Sequence, residues 1–448
     1  MNKNIVIPIV VLMGVFLAFA AYAAWENEKD PTSEVKDPIS EEMATNFIET
    51  MQNGGYDEGY GALNDNMRSQ LSATAFISTW GFNVGVMGDL DKIDKIVVTE
   101  VNNNKVTNSF CSFKYGGKQI RVTFDQEGKV GGLYFFEYSP RSVDLLPNNL
   151  KESDIKLNAG TSLELKGKIA SSVNSDNKVA AVIVHGSGPN DMDMTMGMNV
   201  MYRDLAWGIA ENGIDVLRYD KRTHAYPVND PAYTVKEETI NDAIAAARLM
   251  KDKGYEKVFL IGHSLGGMLA PRIVSESNGA FDGFISMAGT PRSPLDLIVD
   301  QLTSSAKSQA DILYIAAEKN KLNGMDSWDD ARLKSTVIFV DYGGLSAYYL
   351  KEMDSKNAGD IARLLDVPMM FVQGGKDFQV YANKDYQKWK EILSDRPNAT
   401  FKLYDELNHM FAKTVGTTLV EKAIEYLVRN DTSKEVIKDM SEFIKNNT

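Results

Sequence analysis

The stretch that most narrows what this chain can fold into is Gly262-His263-Ser264-Leu265-Gly266-Gly267, set between the apolar run Val258-Phe259-Leu260-Ile261 and a helix-patterned segment. A serine there occupies a tight turn from a strand into a helix. To project its hydroxyl from the edge of a sheet the serine backbone must bend sharply, and side chains two positions before and after it would collide with the neighbouring strand and helix. Gly262 and Gly266 remove those side chains. The helix that starts there aims its free N–H groups at the place where an oxyanion would form. Taken alone the pattern also fits an ordinary turn without chemistry, so its surroundings must decide.

Those surroundings alternate between strand and helix. After a boundary at Ser139-Pro140 and Leu146-Pro147-Asn148-Asn149, residues 162–170 alternate as a strand, and Val179 to Val184 form a continuous apolar run of the kind buried on both faces. Tyr202, Leu205, Ala206 and Ile209 share one helical face, with Gly213 placed as a C-cap. A strand at Ile214 to Tyr219, a helix through Ile240, Ala243, Ile244 and Ala247, the serine turn and a strand at Phe284 to Ala288 follow. This order predicts a parallel sheet with right-handed crossovers. No G-x-G-x-x-G follows the first strands, and Gly375-Lys376 lacks the upstream glycine of a phosphate loop, so a nucleotide is not expected. From Pro291 to Leu365 helix formers and aromatics such as Tyr314, Trp328 and Tyr349 interrupt the alternation. An insertion there, at about 291–365, suits a lid walling an apolar pocket, although a helical extension packed elsewhere has the same pattern. Strands at Val367 to Val372 and Thr400 to Tyr404 and helices at Val420 to Leu427 and Val436 to Ile444 close the chain.

A serine hydroxyl needs a base to take its proton, and the base needs a third group to fix its tautomer. Of the four histidines, His263 is held beside Ser264, His185 and His224 lie in earlier loops, and only His409 follows the last strand. None has the spacing of a zinc helix, so no metal is expected. The carboxylate should end the preceding strand, where Asp377 follows a tight Gly374-Gly375 turn. Asp366 precedes that strand and so lies at its wrong end, while Asp405 and Glu406 are read as surface residues.

The order Ser264, Asp377, His409 is that of α/β-hydrolases, and residues 150–448 resemble that family across nearly their whole length. His185-Gly186-Ser187-Gly188-Pro189 is similar to the H-G-x-G-P oxyanion loop of its exported bacterial esterases. The resemblance implies an α/β fold with a helical lid insertion, a small-molecule carboxylic ester as substrate and no cofactor. It also implies an oxyanion held by the N–H groups of Ser187 and Leu265. A peptidase of the prolyl-oligopeptidase-like branch shares the triad, and an envelope ligand-binding protein on a hydrolase scaffold is the alternative from another class. Two features depart from the family. After Asp220-Lys221-Arg222 a glycine-rich turn is replaced by Thr223-His224-Ala225-Tyr226-Pro227, so the mouth of the site is expected to differ there. The run Met192, Met194, Met196, Met198 and Met201 suits ordinary packing better than an adaptable entrance.

Length and charge place the rest. A chain of 448 residues calls for two domains, and a net charge of -13 without a Lys/Arg cluster argues against nucleic acid as a partner. Ile5 to Ala24 is an apolar run behind Lys3, read as an export signal cleaved after Ala23 or as a retained membrane tether, with the remainder outside the membrane. Residues 25–40, with Pro31 and Pro38, read as a linker. Residues 41–140 begin with helical spacing and turn to four β-rich runs, a small α+β domain that resembles the nuclear-transport-factor-2-like or cystatin-like domains preceding some exported bacterial hydrolases. The lone Cys111 is expected in its core.

Overall fold

The change of period near residue 140 corresponds to two separate sheets in a computed structural model that describes residues 36–158, 160–173, 178–228, 230–325 and 332–448. The export or tether segment and the linker up to residue 35 lie outside the described residues. Among the described residues no helix is long and apolar enough to cross a membrane.

The first sheet is an antiparallel meander of β1 (Leu90–Val101), β2 (Asn104–Phe113), β3 (Gly116–Phe124) and β4 (Val130–Tyr138) in sequence order. Asn102 and Asn103 join β1 to β2 with φ of 50° and 62°, the left-handed pair that a two-residue hairpin needs and asparagine tolerates. Helices α1 (Pro38–Gln52) and α2 (Ala73–Asn83) supply the apolar cover. Phe47 of α1 and Phe135 of β4 meet Trp80 of α2 edge-on, with ring centroids 6.2 Å and 5.8 Å away. Cys111 is buried in this core, and burial pushes its thiol up to about 12.

The second sheet has eight strands: β5 (Leu150–Leu157), β6 (Leu165–Ser172), β7 (Val179–Val184), β8 (Asp215–Tyr219), β9 (Lys257–His263), β10 (Gly283–Met287), β11 (Met369–Gly374) and β12 (Ala399–Tyr404). Their spatial order is β12-β11-β10-β9-β7-β8-β6-β5. Pairing is parallel from β12 to β8, and β6 runs antiparallel to both its neighbours. This is the α/β-hydrolase fold. The apolar run of β7 shows why helices lie on both sides: Ala180, Val182 and Val184 enter one core, while Ala181 and Ile183 enter the other. Helices α4 (Asn241–Asp252) and α5 (Leu265–Glu276) cover the first face, and α3 (Met201–Glu211) with the closing helix Lys434–Lys445 covers the second. Met194 and Met201 are buried in that second core with Met196 packed against it, so these three of the methionine run pack, while Met192 and Met198 are half-buried.

Between β10 and β11 the chain builds α6 (Pro294–Ser305), α7 (Gln309–Asn323), a short hairpin pairing Val337 with Ser346, and α8 (Ala347–Asp354). The two sheets are joined through the short turn Pro140–Val143. Its Arg141 side chain is buried and bonds Asp144 at 2.7 Å, Asp204 of α3 at 3.1 Å and Asp431 at 2.9 Å. Burial raises the pKa of Asp204, and the Arg141 charge opposes that. Removing the cation leaves a half-satisfied buried carboxylate, so Arg141→Ala should lower stability by about 3 kcal/mol, read as a lower urea midpoint; a shift under about 0.5 kcal/mol would mean the clasp carries little of the junction.

Candidate active site

β9 ends at His263 and α5 begins at Leu265, which leaves Ser264 alone at the corner with φ 55° and ψ -114°. That region is sparsely allowed for a residue with a side chain and must be held by its neighbours. A Cβ on Gly262 would fall 2.2 Å from the Gly266 carbonyl oxygen, and one on Gly266 would fall 2.4 Å from the Val184 carbonyl oxygen. Strand and helix therefore touch backbone to backbone. The Ser264 N–H donates to Met287 O at 2.8 Å, and its carbonyl accepts the Met268 N–H at 2.9 Å.

Asp377 stands in the turn after β11 and His409 in the loop after β12. His409 Nδ1 lies 2.7 Å from Asp377 Oδ2. The buried Asp377 carboxylate also accepts from Gln373 Nε2 at 2.9 Å, from the Gln379 N–H at 2.8 Å and from the Val380 N–H at 3.0 Å. These donors fix the plane of the carboxylate facing His409. Asp366 sits at the far end of β11 against Arg396, Asp405 is exposed, and Glu406 pairs with Lys376 on the surface. Of the carboxylates weighed in the sequence, Asp377 is the one brought to His409.

A buried hydrogen-bonded run ties these parts together. The Gly186 N–H donates to Tyr202 Oη at 2.9 Å, Tyr202 OH meets His263 Nδ1 at 3.2 Å, and His263 Nε2 donates to the His409 carbonyl at 3.0 Å. Burial, with the neighbouring His409 adding to it, pushes His263 down to about 3, so the ring is neutral near pH 7. A neutral ring with its proton on Nε2 has one acceptor and one donor, which is what the two contacts require. The sequence shows His263 only as a neighbour of Ser264, and its bridging place depends on Tyr202, which the helical pattern of α3 shows merely as core.

The backbone amides of Ser187 and Leu265 donate to no other group among the described hydrogen bonds, and both residues line a cavity of about 520 Å³ that also contains Ser264. Leu297 and Ile298 of α6 and Tyr349, Leu350 and Met353 of α8 wall it, so the insertion between β10 and β11 faces the serine. Thr223, Pro227 and Val228 form part of the rim, at the place where the sequence departs from the glycine-rich turn. Among the described residues no group of His, Cys, Asp and Glu is arranged to hold a metal ion.

Two measurements follow from the elbow and its histidines. Gly262→Ala forces the strand and helix apart under Ser264, so phosphonylation of the serine by a fluorophosphonate should slow about 100-fold while the far-ultraviolet circular dichroism is kept; an unchanged rate would mean the corner can yield. Burial also pushes His185 down to about 3. Both buried rings stay neutral in the folded state while their unfolded counterparts take up protons below about pH 6.5, so stability is present above that pH and is lost as pH falls toward 3. Two such groups give a slope approaching about 2.7 kcal/mol per pH unit between pH 6 and 4, added to whatever carboxylates contribute. His263→Gln should lower that slope by one proton, and an unaltered slope would show that His263 is not held neutral.

Known proteins resemble this chain in both parts. A family model described as "Serine aminopeptidase, S33" matches residues 178–413, and one described as "Protein of unknown function (DUF3887)" matches residues 44–133. Esterase EstD of Thermotoga maritima is 29% identical over 443 residues, covering 97% of this chain and 98% of that protein. Among solved structures, an esterase of Pyrococcus furiosus covers 70% of this chain and 95% of its own at 17% identity and a TM-score of 0.42. Dipeptidyl peptidase 4 of Porphyromonas gingivalis covers 79% of this chain and 44% of its own at 16% identity and a TM-score of 0.43.

Proposed function

We propose that this chain, which belongs to the serine aminopeptidase S33 family, is an exported carboxylic ester hydrolase working through an acyl-enzyme on Ser264. The observation that carries the mechanism is the 2.7 Å contact of His409 Nδ1 with the buried Asp377, in a loop tied to the serine corner through His263. Ser264 Oγ attacks the ester carbonyl carbon while His409 Nε2 takes the hydroxyl proton, and Asp377 holds the other ring N–H and stabilises the imidazolium. The Ser187 and Leu265 N–H groups hold the oxyanion. When the tetrahedral adduct collapses, the alcohol leaves with the proton from His409; a water, deprotonated by the same ring, then releases the acid and restores Ser264.

The similarity to an esterase runs the length of both chains, which favours an ester over a peptide. The buried carboxylate lining this cavity, Glu238, is engaged by Lys221 and by Tyr349, which leaves the exposed Asp230 as the lining carboxylate that a substrate ammonium could meet. Export is supported by the apolar run Ile5 to Ala24 behind Lys3, whether the segment is then cleaved or kept as a tether, and recovery of the full chain in the cytoplasmic fraction would remove that part of the proposal.

The deciding assay is hydrolysis of p-nitrophenyl esters of rising acyl length beside aminoacyl p-nitroanilides. Ester turnover should vanish in Ser264→Ala and fall about 10⁴-fold in Asp377→Asn, which leaves the imidazole in the wrong tautomer. Faster cleavage of the anilides would reverse the order in favour of a peptidase.

A further inference from the structure

Lys221 has no part in the scheme above, yet its side chain is among the most deeply buried of the charged groups, 1% exposed at the end of β8. An ammonium in such a place must be paired and bonded. Its Nζ lies 2.5 Å from Glu238 Oε1 and donates to the carbonyl oxygen of Gly186 at 2.7 Å. The other Glu238 oxygen accepts the hydroxyl of Tyr349, which comes from α8 in the insertion that walls the cavity.

Gly186 O is one half of the peptide group whose other half is the Ser187 N–H. A trans peptide is planar, with its carbonyl and its N–H pointing in opposite directions. Clamping the carbonyl on Lys221 therefore sets the direction of the Ser187 N–H. The flanking atoms are held as well: the Gly186 N–H is bonded to Tyr202, the Ser187 carbonyl accepts from Asn190 Nδ2 at 2.9 Å, and the Lys221 N–H donates to Asn190 O at 3.1 Å. Gly186 passes close under the nucleophile, since a Cβ on it would come 3.2 Å from Ser264 Cβ.

We infer that Lys221 is a positioning residue of the oxyanion site: it fixes the Gly186–Ser187 peptide plane so that the Ser187 N–H faces the reacting oxygen, and its charge polarises that peptide into a stronger donor. This rests on Ser187 acting as an oxyanion donor in the proposed esterase. Glu238 pins the ammonium in place, and Tyr349 makes the insertion a party to the arrangement. The lid is thereby linked to the direction of one N–H group, through Tyr349, Glu238 and Lys221 in turn.

The test is made on the full chain with Lys221→Met, measuring kcat and KM for an ester and for the thionoester of the same acid and alcohol. Sulfur accepts hydrogen bonds poorly, so the ester-to-thionoester ratio of kcat reads the oxyanion donors specifically. Losing one donor outright costs about 10²- to 10³-fold in kcat; a misdirected one should cost about tenfold or more, with KM within about twofold and the ester-to-thionoester ratio reduced about tenfold. Equal slowing of both substrates would mean that the Lys221–Glu238 pair is only structural, and would overturn the inference while leaving the esterase assignment intact, provided turnover still vanishes in Ser264→Ala. Turnover surviving in Ser264→Ala would overturn both. Should Lys221→Met fail to fold, Tyr349→Phe removes a single oxygen from the same chain of contacts. Its ester-to-thionoester ratio should fall about two- to threefold, a small part of the loss of a donor, and an unchanged ratio in that folded variant would overturn the inference.

Discussion

Everything at the catalytic corner depends on the approach of two backbones, where the end of β9 runs under the start of α5 with no room for a methyl group at Gly262 or Gly266. That contact holds Ser264 in a conformation a free chain would avoid. The strain is local, whereas what balances it is spread over the parallel strands and the buried helix on one side of them. A helix whose first residues lie this close to the sheet also presents its unpaired N–H groups at the level of the serine, so the steric constraint and the electrostatic one have a single origin.

The second level of organisation is a set of buried polar links among loops distant in sequence. Gly186, Tyr202, His263 and the His409 carbonyl form one run, and Gly186, Lys221, Glu238 and Tyr349 form another. Both begin at the same glycine. Polar groups buried in this way are costly when half satisfied and rigid when complete, so they hold loops that hydrophobic packing alone would leave free to shift.

How much of this could be read from the sequence follows from how local each signal is. The continuous apolar run of β7 and the i, i+3, i+4, i+7 pattern of α3 report burial directly, and both elements form within a residue or two of their expected ends. β5 was missed. Its Lys151, Glu152, Asp154 and Lys156 hide the alternation, as is usual for an edge strand that must not pair further. Asp377 is distinguishable from Asp366, Asp405 and Glu406 in the sequence because parallel strands put their carboxyl ends on one side. The exchange of a glycine-rich turn for Thr223 to Pro227 is visible as a departure, and the structure places Thr223 and Pro227 of it on the cavity lining. Lys221 could not be read in this way: its partners are residues 186 and 238, and residue 349 joins only through Glu238, all brought together by the completed fold.

The buried Cys111 has a practical side. It is the chain's only cysteine, and its thiol is shielded in the core of the first domain with its ionisation suppressed. A thiolate is the form that reacts with maleimides and iodoacetamides, so the native protein is close to a cysteine-free background. A cysteine introduced on the exposed side of α8, and a second on β1, could carry a fluorophore pair without any prior replacement of the natural residue. Movement of the insertion relative to the first domain would then be observable in single molecules.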